Sequence, residues 1–285
     1  MTAPTAGRHQ PGRGQPGLRR GSLTPERIVA ESLRLLDEHG AGGFSLPKLG
    51  RALGADPTAV YRHFASKDDL VLAIADRLIE EAMAGLEPRA CWVDTVIEIT
   101  QRLRATYCAH PAAAALSAHR TTQRPAEIRT VNILIGAVLE AGFEGAEAAR
   151  VYRALGDFAL AGSALEAAFL ALDERQQAKD VAAWTSAYLA VAQAEYPHIW
   201  QIRTELPDVT DDEIYETILS LVLSGLMQRA PRPCRCGAHA PARSGDALCP
   251  TSKRFSRKAC SCAASGMNSS CRNWTCSSEG SEAMS

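Results

Sequence analysis

The 285-residue chain contains no run of eighteen or more apolar residues, so no membrane span and no membrane partner are expected. Its opening stretch, MTAPTAGRHQPGRGQPGLRR, has no apolar core of the secretory type, which points to a cytoplasmic protein. Cysteine is nearly absent from the body: of nine, only Cys91 and Cys108 precede residue 231. An odd total without a secretory leader argues against a disulfide framework. Catalytic signatures are missing too. There is no glycine-rich phosphate loop, no nucleophile elbow and no His-Glu-x-x-His, and Ser, His and Asp are scattered. Neither an enzyme nor a cofactor is expected.

What is present is a large apolar fraction, 46%, in a chain long enough for about two domains. The net charge of −1 hides a segregation. Residues 1–22 carry Arg8, Arg13, Arg19 and Arg20 and no acid, and residues 231–285 carry eight Lys/Arg against three acids. The part between them is therefore acidic. A basic arm on an acidic body suggests that selected parts of the molecule meet a polyanion. The expected organisation is a disordered basic arm over 1–22, a reading domain over 23–70, a helical body over 71–230 and a Cys/Arg/Ser-rich disordered tail over 231–285.

Helix punctuation is strong near the front. Thr24 and Pro25 start a helix that Gly40 stops, with Ile28, Val29, Leu33, Leu35 and Leu36 on its buried side. Ser45 caps a short second helix carrying Leu46, Leu49 and Leu53, which Gly54 ends. Asp56 and Pro57 open a third, DPTAVYRHF, and Ser66 with Asp69 three residues on opens a fourth. Helices are predicted further on near 90–108, 112–119, 125–141, 146–172, 178–203 and 210–229, with no convincing strand.

The stretch LGADPTAVYRHFASKDDL concentrates polar and aromatic groups. Two short helices joined by a glycine turn read as a helix-turn-helix. At helical spacing Val60 and Phe64 face inward, leaving Thr58, Tyr61 and Arg62 outward with Ala59 at the edge. A hydroxyl, a phenol, a guanidinium and a methyl suit phosphates and base edges in a major groove. Lys67, in the first turn of the next helix, opposes the helix dipole but would hold a phosphate together with the free N–H groups. His63 reads as a packed or hydrogen-bonding residue rather than a metal ligand, and as a donor it could still reach a phosphate.

The segment FSLPKLGRALGADPTAVYRHFASKDDLVLAI resembles the DNA-binding part of the TetR family of bacterial repressors, through Leu53-Gly54, Val60-Tyr61, His63-Phe64, Lys67 and Leu70. The detailed match covers roughly residues 24–85. The resemblance implies an all-α fold, with an N-terminal three-helix helix-turn-helix DNA-binding domain and a C-terminal helical domain for ligand binding and dimerisation. It implies DNA contacts from Pro57, Thr58, Ala59, Tyr61, Arg62 and His63, a phosphate on Lys67, and backbone contacts from Ser45 and Lys48. Pro47 departs from the family pattern, standing where members often carry a polar or basic residue. The basic arm, Arg8 to Arg20, would compensate along the minor groove. The partners implied are a double-stranded operator, a second copy of the chain and a small-molecule inducer, with repression the favoured sign.

For the body, the expected dimer surface is Leu155, Ala159, Gly162, Ala164, Leu165, Ala168 and Leu172, together with Ile214, Ile218, Leu221, Val222 and Leu226. Trp92, Ile99, Leu103, Tyr107, Phe158, Trp184 and Tyr188 are candidates to line an apolar ligand cavity. Two rival readings remain: an activator of the same fold, and a metal or redox sensor using Cys234, Cys236, His239, Cys249, Cys260 and Cys262. Those thiols lack paired Cys-x-x-Cys spacing, so no metal site is assigned.

Overall fold

The computed structural model describes residues 23–234, so the basic arm and all but the first four residues of the tail lie outside the described part. Among the described residues every regular element is helical. The helices are α1 (Pro25–Gly43), α2 (Leu46–Leu53), a 3-10 helix η1 (Pro57–Arg62), α3 (Lys67–Ala82), α4 (Trp92–Ala109), α5 (Pro111–Ser117), α6 (Pro125–Glu140), α7 (Gly145–Leu170), α8 (Glu174–Leu189), α9 (Pro197–Ile202), a second 3-10 helix η2 (Leu206–Asp208) and α10 (Asp211–Arg229). No single helix is long and apolar enough to cross a membrane.

The first helices start where their capping residues stand. The Thr24 hydroxyl accepts from the Arg27 N–H at 3.2 Å, and Pro25 takes a first-turn position where its missing N–H costs nothing. At Gly40 the backbone leaves helical geometry with φ 65°, and one further turn carries the chain to Gly43. Ser45 caps α2, and Gly54 closes it in the left-handed conformation at φ 64°. Ser66 accepts from the Asp69 N–H at 3.0 Å, while the Asp69 carboxylate accepts from the Ala65 N–H at 2.9 Å. The return bond thus lands one residue earlier than in the usual capping box.

Two expected helices change. The third is a 3-10 helix instead of an α-helix. One carboxylate oxygen of Asp56 accepts both the N–H and the O–H of Thr58, at 2.8 and 2.6 Å, which tightens the first turn. The Ala59 N–H then reaches Asp56 O at 2.9 Å, a three-residue closure. The predicted helix over 178–203 is two helices. Its chain stops at Leu189, Tyr196 leaves helical geometry at φ −130°, ψ 59°, and Pro197 begins α9. A proline biases its predecessor out of the α region, which sets the start of α9 at Pro197.

Two apolar clusters hold the described residues together. One joins α1, α2, η1 and α3 to Leu103, Tyr107, α5 and the α7 residues Ala159 and Ala167. The other gathers Trp92, Val96 and Ile99 of α4, Leu134 and Val138 of α6, Val151 and Leu155 of α7, and Tyr215, Leu219 and Leu223 of α10. Leu155 and Ala159, expected on the dimer surface, are core residues with 1% and 3% exposure. Both stand on the side of α7 that packs inward, where small and branched side chains let α4 and α5 approach.

The cysteine expectation is corrected as well. Cys91 and Cys234 form a disulfide, with Cα atoms 6.0 Å apart. After α10 the chain folds back over the end of α6, where the Arg232 N–H donates to Ala141 O at 3.0 Å. Gly142, at φ 90°, allows that contact, since a Cβ there would stand 2.9 Å from Arg232 and 3.0 Å from Pro231. The odd count could not reveal this fold-back.

Candidate nucleic-acid interface

The reading segment divides as its side chains demand. Val60 and Phe64 are buried at 1% and 3% exposure, whereas Tyr61 is 50% exposed. Thr58, Arg62 and His63 are exposed as well, and Pro57 and Ala59 are partly buried. In a 3-10 helix residues three apart eclipse one another, so Thr58 lies beside Tyr61 and Ala59 beside Arg62. The Thr58 hydroxyl donates its hydrogen to Asp56, so toward DNA it presents lone pairs and a methyl group. Asp56 is held below the usual carboxylate range, first by the Thr58 hydroxyl, then by the Thr58 N–H, with the Arg62 charge adding to it.

What fixes η1 against α2 is Gly50, which sequence patterning did not single out. A Cβ at Gly50 would lie 2.9 Å from Pro57 N and 3.0 Å from both Ala55 O and Pro57 Cα. Only a residue without a side chain allows this crossing. The signal was there to be found, since a glycine inside a short helix is otherwise unfavourable.

The phosphate candidates gather at the turn between α1 and α2. Lys67 Nζ stands 5.9 Å from the centroid of the Phe44 ring. Lys48 Nζ lies 3.8 Å from the place a Cβ on Gly43 would take. Both ammonium groups therefore flank adjacent residues, next to Ser45, whose side chain is partly buried and accepts from the Lys48 N–H at 3.4 Å. No ion pair among the described residues uses Lys48, Arg62, His63 or Lys67. The acids beside Lys67 are turned away from it. Asp68 holds Arg120 through two bonds of 2.5 and 2.7 Å, and Asp69 holds Arg124 at 2.5 Å.

Those two pairs tie the start of α3 to the segment before α6, and further bonds extend the tie. Asp76 of α3 accepts from Glu127 N at 2.9 Å and from Ala126 N at 3.3 Å, capping α6, whose own N-cap residue Arg124 makes no side-chain cap bond. His110, between α4 and α5, has Nδ1 2.9 Å from Asp37 of α1 and Nε2 3.3 Å from Glu81 of α3. The reading helices and the body thus share hydrogen bonds as well as an apolar cluster.

A family model for bacterial regulatory proteins of the TetR family matches residues 28–74, and one for the tetracyclin repressor-like C-terminal domain matches residues 84–230. The chain belongs to the TetR family. It is a DNA-binding transcriptional regulator and not an enzyme. It is 28% identical over 175 residues to an HTH-type transcriptional regulator of Saccharopolyspora erythraea, covering 61% of this chain and 72% of that one. An HTH-type transcriptional repressor of Mycobacterium tuberculosis is 28% identical over 152 residues, and the match spans 53% of this chain and 52% of the relative. A solved TetR transcriptional regulator from Streptomyces coelicolor superposes with a TM-score of 0.60 at 25% identity, over 73% of this chain and 100% of the other.

The ligand candidates of this TetR-family body are not brought to one place. Leu103 and Tyr107 belong to the cluster shared with the reading helices. Trp92 is in the other cluster, where Phe158 stacks on Tyr215 with centroids 5.5 Å apart. Trp184 and Tyr188 pack on each other at 4.0 Å along α8, which has no buried residue. Two surface grooves of about 190 and 350 Å³ border Trp92, whose buried indole N–H has no hydrogen-bond partner among the described residues. Of the metal-sensor candidates only Cys234 is among the described residues.

Proposed function

We propose that the chain is a ligand-responsive repressor that binds a palindromic operator as a homodimer in the cytoplasm and is released by a small-molecule inducer. The observation that carries this reading is the outward side of η1, where Thr58, Tyr61, Arg62 and His63 are exposed while Val60 and Phe64 anchor the segment. Arg62 is the guanine or phosphate contact, Tyr61 and Thr58 lie along the groove wall, and Lys48, Ser45 and Lys67 hold the phosphate backbone. Residues 23–70 act as the reading unit and 71–230 as the sensing and dimerising unit.

One such segment reads only a few base pairs, so an operator needs two heads about 34–36 Å apart on a two-fold axis. The apolar residues left uncovered support a second copy: Leu165 is 77% exposed, Leu221 68%, Ile214 45% and Ile218 41%. An inducer that favours a body geometry incompatible with both half-sites would release DNA, provided it binds that geometry more tightly. The Asp76, His110, Arg120 and Arg124 contacts are the route by which α4 and α6 move α3. Selection of bound duplexes from a random library tests the reading. Enrichment of a palindrome with half-sites about one helical turn apart is expected; retention of no duplex in modest salt, or enrichment of a single asymmetric site, contradicts it.

A further inference from the structure

Cysteine has no part in the proposed DNA reading, yet the structure places two sulfur atoms together. Cys91 and Cys234 are 143 residues apart in sequence, and their Cα atoms are 6.0 Å apart, inside the range a disulfide accepts. Their positions do not rest on the bond alone. Cys91 occupies the N-cap position of α4 and is 1% exposed within the α4–α6–α7–α10 cluster. The segment bearing Cys234 is fastened separately, by the Arg232 N–H on Ala141 O and by the close fit of Pro231 and Arg232 over Gly142.

The two sulfurs differ in access. Cys234 is half-buried and borders the 350 Å³ surface groove that Arg232 and Gln228 also line. A small oxidant can enter there. Cys91 can be reached only through its partner.

We propose that Cys234 and Cys91 form a reversible thiol-oxidation site, with Cys234 as the sulfur oxidised first by a hydroperoxide and Cys91 as the resolving thiol. The Cys234 thiolate attacks one peroxide oxygen. The O–O bond breaks, Cys234 becomes a sulfenic acid, and the other oxygen leaves as alkoxide or hydroxide and takes up a proton. The Cys91 sulfur then displaces the sulfenic hydroxyl as water, giving the disulfide. Two thiols have lost two electrons and two protons to one peroxide. A dithiol reductant reverses the bond through a mixed disulfide at the accessible Cys234. The oxidised bond encloses α4 to α10 in one loop and locks the end of α10 to the start of α4. It stabilises the body without touching the reading segment, so this inference does not rest on the DNA assignment.

The test uses the full chain, reduced, freed of reductant and treated with one equivalent of hydrogen peroxide. Remaining thiols are alkylated, and the protein is digested without reduction for mass spectrometry. The expected product is a Cys91–Cys234 cross-linked peptide. With it the melting temperature rises by about 5–10 °C and returns when dithiothreitol is added. Cys234→Ser and Cys91→Ser each abolish the rise, while Cys108→Ser keeps it. The proposal is overturned if Cys91 remains alkylated in the oxidised wild-type chain, if Cys91 is found joined to Cys236 or another tail cysteine, or if the rise persists in Cys234→Ser.

Discussion

Substituting Gly50 by alanine sets two effects of known size against each other. In the interior of α2 the change removes the conformational cost of glycine, a gain of about 1 kcal/mol. Against it, the new Cβ would stand 2.9 Å from Pro57 N and 3.0 Å from Ala55 O and Pro57 Cα. All three are backbone atoms, so no side-chain rotation relieves the clash, and the overpacking costs about 1–3 kcal/mol. The Ala55 N–H bond to Gly50 O, 2.9 Å long, ties the same two stretches of chain and resists their separation. The net expectation is a loss of up to about 2 kcal/mol, with η1 pushed away from α2 and operator affinity lowered. Gly136 provides the control. It lies exposed inside α6 with nothing within 4 Å of its would-be Cβ, so Gly136→Ala should stabilise by about 0.5–1 kcal/mol. Urea unfolding at one fixed protein concentration measures both. If Gly50→Ala stabilises as much as Gly136→Ala, the close crossing of α2 and η1 is not real.

Other expectations follow from named interactions. Lys67→Ala should weaken binding to all duplexes alike and lower the slope of log affinity against log salt by about 1, measured by fluorescence titration across salt concentrations. Asp76→Ala removes the acceptor of the Ala126 and Glu127 N–H groups in the first turn of α6 and should cost about 1–2 kcal/mol in urea unfolding. The His110 ring is held above its ordinary value of 6.5, chiefly by its hydrogen bond to Asp37 with Glu81 adding, while burial opposes the rise. A raised folded-state value means the stabilisation is complete below about pH 6.5 and fades as pH climbs through the folded value. Melting temperature between pH 6 and 8.5 should therefore fall more for the wild-type chain than for His110→Gln.

Local chemistry was legible and long-range chemistry was not. Thr24, Ser45, Ser66 and Gly54 mark helix ends through bonds that span three or four residues, so their roles can be read from spacing alone. The inward pair Val60 and Phe64 was equally readable, because an apolar pair four apart faces one way in an α-turn, and in the structure Phe64 lies past the end of η1 at Arg62, where it is buried with Val60. That η1 is 3-10 depends on Asp56 gripping Thr58 twice, a detail composition cannot show. Gly50 looked like any helix glycine until Pro57 was seen against it. Asp76 capping α6 and His110 bridging Asp37 and Glu81 join residues dozens of positions apart, and no periodicity encodes them. The aromatic residues of the body share a chemistry but not a location, and grouping by residue type scattered Trp92, Tyr107 and Trp184 over separate parts of the fold. Leu155 and Ala159 were assigned outward because small residues suit both a dimer seam and a tight core.

The central claim is that the exposed side of η1 reads DNA. Equilibrium titration of the library-selected duplex with wild-type chain, Tyr61→Ala and Arg62→Ala tests it most directly, with an unrelated duplex run in parallel. Each substitution should cost about 1–3 kcal/mol on the selected duplex for every base edge the removed side chain reads, and far less on the unrelated one. Both variants holding the selected duplex as tightly as the wild-type chain, while folded to the same melting temperature, would contradict the account.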